Sequence, residues 1–300
     1  MAFARSMAAV LAVLAIAGCG GDADPASQDA LADESARAAA AQGTSVSWTE
    51  GGVSVYAGAD AQVQLARTVD ERIQSGNGSE HFFRAVKEAG GVDAFNRLLA
   101  EGQHGRVKAL LASHGIPYEL RTPGADCAPF LPVTDRGQVL TVGSHTVFID
   151  AFGRPGYATV SAGPAATVAP GVRLECEATA GPRGQDGDVG GHLIPVALQG
   201  WGGRANGIPQ NGEMSNGPWR IIESTPDDCR LARTIAYTVT PLYANAAEVR
   251  PLKFDAKLSV QSPDGMPEIL LKDFPNTAPN DGLYRIARAF KAMAQLACST

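Results

Sequence analysis

The hydrophobic period changes near the middle of the chain, and this limits the folds open to it. From Asp60 to His114 apolar residues recur at helical spacing. Val63, Leu65, Val69 and Ile73 share one face, Phe82, Phe83 and Val86 begin a second helix, Phe95, Leu98 and Leu99 a third, and Val107, Leu110 and Leu111 a fourth. These runs stop at Gly76, Gly90, Gly102 and Gly115, and Ser79 with Glu80 behind it reads as the cap of the second. After Gly137 the period falls to two. Val139–Ala151 reads as a strand, Phe152–Gly156 as its turn and Tyr157–Ala162 as the returning strand. Thr234–Leu242, Leu252–Val260 and Pro267–Phe274 are further strands, and Leu283–Ala297 is an amphipathic closing helix. Ser45–Tyr56 alternates as a short hairpin. Helices gathered before strands predict an α+β chain with an antiparallel sheet, preceded by a small helical module.

The N-terminus belongs to targeting. One basic residue, Arg5, precedes the apolar run Met7–Ala17, which is too short for a membrane span. Ile16-Ala17-Gly18-Cys19 resembles a bacterial lipobox, so residues 1–18 are expected to be a signal peptide and Cys19 the lipidated residue. Gly20 rather than an acid follows, which favours the outer membrane over the inner. Residues 19–43 are poor in large apolar groups and read as a flexible tether. The remaining expected divisions are a helical module at 44–116, a Pro- and Gly-bearing linker at 117–138, and a second domain at 139–300. Export makes Cys127, Cys176, Cys229 and Cys298 candidates for disulfides, with three pairings open. None has CxxC spacing, so zinc is not expected. His81, His104 and His114 show no ligand spacing and read as surface or helix-end residues, and His145 reads as solvent-facing. The net charge of −6 gives no overall basic signature.

The chemistry concentrates in GGHLIPVALQGWGGRANGIPQNGEMSNGPWRIIES. His192 follows two glycines, Gly200–Gly203 makes a bend, and Asn206, Gln210, Trp219 and Glu223 come in order after it. Ser215 or Asn216 is expected to cap a helix with Pro218 in its first turn, stopping by Pro226. This order, strand then bend then helix, suits phosphodiester hydrolysis. A neutral imidazole can take a proton from water. A divalent ion on hard oxygen ligands can stabilise the developing charge, and Mg²⁺ suits a site with few direct protein ligands.

These words resemble the core of the DNA/RNA non-specific endonucleases, a ββα-metal (His-Me finger) family, in its G-G-H toxin-like branch. HLIP, Asn206-Gly-Ile-Pro-Gln210 and Gly217-Pro-Trp219-Arg-Ile-Ile-Glu223 match its pattern without a gap. Asp150-Ala-Phe-Gly153-Arg154 resembles the preceding D-x-x-G-R hairpin, and Tyr237–Pro251 the strand and RP turn that follow, so the likeness covers about residues 145–275. It implies a ββα-metal nuclease core, a hydrolase of DNA or RNA, with Mg²⁺ as cofactor and Mn²⁺ as its substitute. His192 aligns with the general base, Asn206 with the direct metal ligand and Glu223 with the acid that orients metal-bound water. Gly191, Gln210 and Trp219 would support the site, and Arg220, then Arg204 and Arg154, would supply a phosphate contact. The chain departs from the D-R-G-H form: Val189, Gly190 and Gly191 precede His192, Asp188 lies one place upstream of the usual acid, Ser215 stands where an asparagine is usual, and Pro195 replaces a small residue. These departures define the alternative expectation, a weak or inactive nuclease-fold lipoprotein that binds nucleic acid or protein. Whether an immunity or inhibitor protein pairs with it is left open.

Overall fold

The computed structural model describes residues 46–122, 134–164, 183–198, 200–231, 233–261 and 267–299. The targeting segment with Cys19, the tether, Cys127 and Cys176 lie outside the described residues. The chain is α+β. One nine-stranded sheet runs in the order β1-β2-β11-β10-β9-β6-β5-β4-β3, formed by β1 (Val46–Glu50), β2 (Val53–Ala57), β3 (Tyr118–Arg121), β4 (Gln138–Val142), β5 (His145–Ile149), β6 (Pro155–Ala162), β9 (Ile235–Leu242), β10 (Lys253–Val260) and β11 (Glu268–Pro275). Every neighbouring pair is antiparallel except β3 with β4. A separate two-stranded ribbon pairs β7 (Asp188–His192) with β8 (Gly207–Asn211).

Two expectations about strands change. Residues 139–151 are not one strand: Gly143 at φ 61° makes a tight turn, and β4 and β5 fold back on each other. The expected linker carries β3, which extends the sheet beside β4, while the hairpin β1–β2 from the expected helical module pairs onto β11. The helical segment therefore shares its sheet with the C-terminal half.

Helices cover both faces, and this explains why β4 and β5 are buried along their whole length. On one face lie α1 (Ala59–Gln74), α2 (Glu80–Glu88), α3 (Val92–Ala100) and α4 (His104–Ser113). Phe82 stacks on Phe148 of β5 at 4.3 Å and contacts Phe95 and Tyr157 around it. Each such buried ring contributes about 1.5–3 kcal/mol. Ser79 holds the N-cap position of α2 without a cap hydrogen bond from its side chain. On the opposite face lie the β7–β8 ribbon, a short helix α5 (Gly212–Asn216), α6 (Pro218–Arg230) and α7 (Asp281–Ser299). Their core joins Trp219 to Phe254, Phe274, Ile286 and Phe290.

A buried ion pair ties the layers together. Asp150 is fully buried and Arg154 is 4% exposed. Arg154 Nε donates to Asp150 Oδ2 at 2.8 Å, Nη1 to the carbonyls of Asn245 and Glu248 at 2.7 Å each, and Nη2 to that of Asn77 at 3.2 Å. Its guanidinium also lies 4.1 Å from the Tyr243 ring centroid. The sequence reading of Arg154 as a phosphate contact is therefore corrected: its donors are turned inward and spent on the turn, the helical layer and the β9–β10 connection. Arg154→Met leaves Asp150 buried without its partner, and urea denaturation should show a loss of about 3–5 kcal/mol, with a loss below about 1 kcal/mol contradicting this role.

Of the open cysteine pairings, the described residues show Cys229–Cys298, which joins α6 to α7 across a sequence separation of 69. Closing so long a loop restricts the unfolded chain. Cys298→Ser should lower the urea-unfolding free energy by about 2–4 kcal/mol, and the wild type should lose the same amount in reductant.

Candidate active site

The site is built on the β7–β8 ribbon and α6. In the ribbon Asp188 faces Asn211, Val189 faces Gln210 and His192 faces Gly207. His192, half-buried, thus ends the first strand just where the second begins. Past it the chain must leave the ribbon, because Pro195 has no N–H to continue a ladder. Asn206 closes the gap. Its backbone carbonyl accepts from Leu193 N at 2.9 Å. Its side-chain Oδ1 accepts from Ile194 N at 2.8 Å and its Nδ2 donates to Ile194 O at 2.8 Å. The amide therefore stands in for one more strand residue.

This placement corrects the reading of Asn206 as an open metal ligand. The residue is 0% exposed and both ends of its amide are engaged by Ile194. Gly200 makes room for the same closure, since a Cβ there would lie 2.0 Å from Ile194 O. Gly191 has a related role. A Cβ on it would lie 2.0 Å from Gln210 Oε1, so the space beside Gly191 holds the Gln210 amide. Gln210 is 0% exposed, and its Nε2 reaches His192 O at a long 3.5 Å.

The helical part also differs from expectation. Asn211, not Ser215 or Asn216, is the side chain that caps a helix, accepting from Met214 N at 3.0 Å to start α5. After Gly217, α6 begins with Pro218 and passes through Pro226 to Arg230. The hydroxyls of Ser224 and Thr225 take the Ile221 carbonyl within the turn that Pro226 interrupts. Trp219 is a packing residue, 0% exposed, with its ring 4.9 Å from Phe254 and 5.6 Å from Phe274. Glu223 lies one turn further along the same side of α6 and is half-buried. Burial pushes its carboxyl up to about 8, against the opposing influence of the Trp219 indole N–H and the Arg220 charge.

Arg220 is exposed beside Glu223 on α6, and Arg204 is partly exposed at the start of the turn Arg204–Asn206. Burial lowers the Arg204 guanidinium, and Arg183 is lowered by burial first and then by the charge of Arg204. Arg183 thus shares the electrostatic field of Arg204, and nothing in its local sequence signals that. Arg250 was likewise passed over, although it stands in the RP turn. Its Nε meets Asp188 Oδ2 at 2.7 Å and its Nη2 meets Oδ1 at 3.1 Å, which pins the start of β7 to the β9–β10 connection. Asn276 completes this frame: fully buried, it accepts from Asn211 N at 2.8 Å and donates to the carbonyls of Pro209 and Pro251.

His145 is not solvent-facing. It is 1% exposed, on the site face of β5, and its Nδ1 accepts from Trp201 N at 2.9 Å, anchoring the Gly200–Gly203 bend. Burial, and then the neighbouring His192, hold it down to about 3. The unfolded imidazole takes its proton near 6.5, so His145 contributes stability above that pH which is lost as pH falls toward about 3. His145→Asn keeps an acceptor for Trp201 N but cannot titrate. Its urea midpoint should fall less steeply than the wild type's between those values, and equal slopes would contradict the assignment.

The comparisons with known proteins come from sequence and from fold. A family model described as DNA/RNA non-specific endonuclease matches residues 145–262. Among solved structures, NucA from Streptococcus agalactiae with magnesium ion bound is 20% identical, covering 44% of this chain and 70% of its own, at a TM-score of 0.36. The EndoG/EndoGI complex, solved for the mechanism of EndoG inhibition, gives 14% identity over 51% of this chain and 78% of that one, at a TM-score of 0.39. No curated protein matches the chain. The ribbon and helix that carry His192 and Glu223 fall inside residues 145–262, the segment that matches the DNA/RNA non-specific endonuclease family model.

Proposed function

We propose that this chain is a metal-dependent endonuclease that hydrolyses phosphodiester bonds in DNA or RNA with little regard to sequence. The observation that carries the reading is the ordered ribbon-and-helix unit, with His192 at the end of β7 and Glu223 on α6, inside the segment that matches the family. His192 acts as general base. Its neutral imidazole takes a proton from a water molecule as that oxygen bonds to phosphorus, and the bond from phosphorus to the leaving oxygen breaks. Arg220 and Arg204, both at least partly exposed, are the candidates to contact a phosphate, and Arg183 adds to the positive field around Arg204.

The donor set fits a divalent cation in part. Glu223 is a hard oxygen donor whose carboxyl is held up by burial, so a cation beside it would relieve the cost of ionisation. Asn206 fits only by sharing Oδ1 between Ile194 N and the ion. Among the described residues no group of three or more His, Cys, Asp or Glu side chains forms a cage. Mg²⁺, or Mn²⁺ in its place, would supply charge neutralisation at the phosphate and the leaving oxygen.

Export belongs to the same reading: a signal peptide over 1–18, lipid on Cys19, and the outer membrane as the site of anchoring. Loss of radiolabelled palmitate in Cys19→Ser would test that part. The closed amide of Asn206 favours a second reading, a nuclease fold that binds nucleic acid without cutting it.

Cleavage of plasmid and of RNA by the purified chain separates the two. Wild type should cut with Mg²⁺ or Mn²⁺ and stop in chelator, and His192→Ala should lower the rate by about 10²–10⁴-fold. A wild type that binds but does not cut with any divalent ion supports the second reading, and a fully active His192→Ala removes the first.

A further inference from the structure

Three polar groups meet under α6, and the reaction outlined above does not use two of them. Tyr237 lies on β9 and is 0% exposed; Trp219 lies on α6 and is 0% exposed. The Tyr237 hydroxyl and the Trp219 indole Nε1 are both buried, and neither makes a hydrogen bond among the described groups. A buried donor left without an acceptor costs about 1–3 kcal/mol, so native chains keep few of them. The third group is Glu223. It follows Trp219 by four residues, which stacks the two on one side of the helix. α6 packs directly on β9, the strand that carries Tyr237.

The register fixes Tyr237 on the site face of the sheet. Tyr237 faces Val160 on one side and Leu258 on the other, and both side chains belong to the core beneath the ribbon and α6. The charge of Glu223 raises the Tyr237 hydroxyl, after burial, so the carboxyl and the hydroxyl feel each other directly. Two orphaned donors thus lie on the strand beneath α6 and on the helical turn that precedes the half-buried carboxylate. A carboxylate has room for both, with about four lone-pair sites on its two oxygens.

We infer that the Tyr237 hydroxyl and the Trp219 indole N–H are a donor clamp that positions the ionised Glu223 carboxylate. Both are positioning residues: they act through Glu223 and touch neither water nor phosphate. The clamp fixes which edge of the carboxylate faces the ribbon. It rests on the nuclease reading for its catalytic consequence, but its geometry stands apart from any activity.

Two measurements on the purified chain test it. The chain has three tryptophans, so the indole N–H signals in a ¹⁵N-labelled sample are few enough to assign. The Trp219 indole proton should lie downfield in the wild type and move upfield in Glu223→Gln, and an unmoved signal overturns the clamp. Tyr237→Phe removes only an oxygen. It should lower kcat about tenfold, the effect of one hydrogen bond to a charged group, with KM within about twofold. A kcat within twofold of wild type, or a loss that only tracks the folded fraction, overturns it. If the wild type cuts nothing, the nuclease reading falls by itself and the indole signal alone decides the clamp.

Discussion

Burial of the sheet on both faces is the constraint on which the rest of the structure depends. Once helices cover each side, every polar group on β5, β6 and β9 must find a partner or carry the cost of lacking one. On the helical side the partners are mutual: Tyr157 Oη donates to Asn96 Oδ1 at 2.5 Å, Asn96 Nδ2 to Thr238 Oγ1 at 2.9 Å, and Thr159 and Thr238 hydroxyls meet at 3.0 Å. On the site side they are fewer. His145 has only one of its ring nitrogens bonded, and Tyr237 has no partner for its hydroxyl. Unmet polar capacity thus gathers under the ribbon and α6, which is where chemistry is expected.

The same covering explains why the ribbon needs so many braces. A two-stranded ribbon is marginal alone. Here Asp188 is held by Arg250 at one end, Asn276 holds Pro209 and Asn211 in the second strand, and Asn206 closes on Ile194 at the other end. These contacts join residues 62, 67, 65 and 12 positions apart. They fix the ribbon to the sheet's connections rather than to its own neighbours, so His192 is positioned by the whole C-terminal half of the chain.

Periodicity alone revealed much of the architecture. The hairpin over 46–57, the four helices from 59 to 113 and the closing helix stand where apolar spacing and glycine stops put them. Local pattern failed where the answer lay in a distant partner. The edge strand Tyr118–Arg121 forms because β4 offers it a ladder, and α6 runs through Pro226 with its Trp219, Ile222, Pro226 and Cys229 side packed into the core. The order of His192, Asn206 and Glu223 was legible, and all three lie inside the family match over 145–262. The use of each side chain was less so. An amide at the spacing of a ligand is equally suited to bracing a chain that leaves a strand, and both ends of the Asn206 amide engage Ile194. Arg154 carries the charge of a phosphate contact, but its burial beside Asp150 shows in no local pattern.

The proposed function rests on the ribbon and α6 forming a cation-assisted nuclease site centred on Glu223 and His192. The most direct measurement is the anomalous signal of Mn²⁺ soaked into crystals of the wild-type chain. The ion should appear against the Glu223 carboxylate on the side that faces His192, and should vanish in Glu223→Gln. An ion bound elsewhere, or a Glu223 carboxylate that stays bare at saturating Mn²⁺, would contradict the claim.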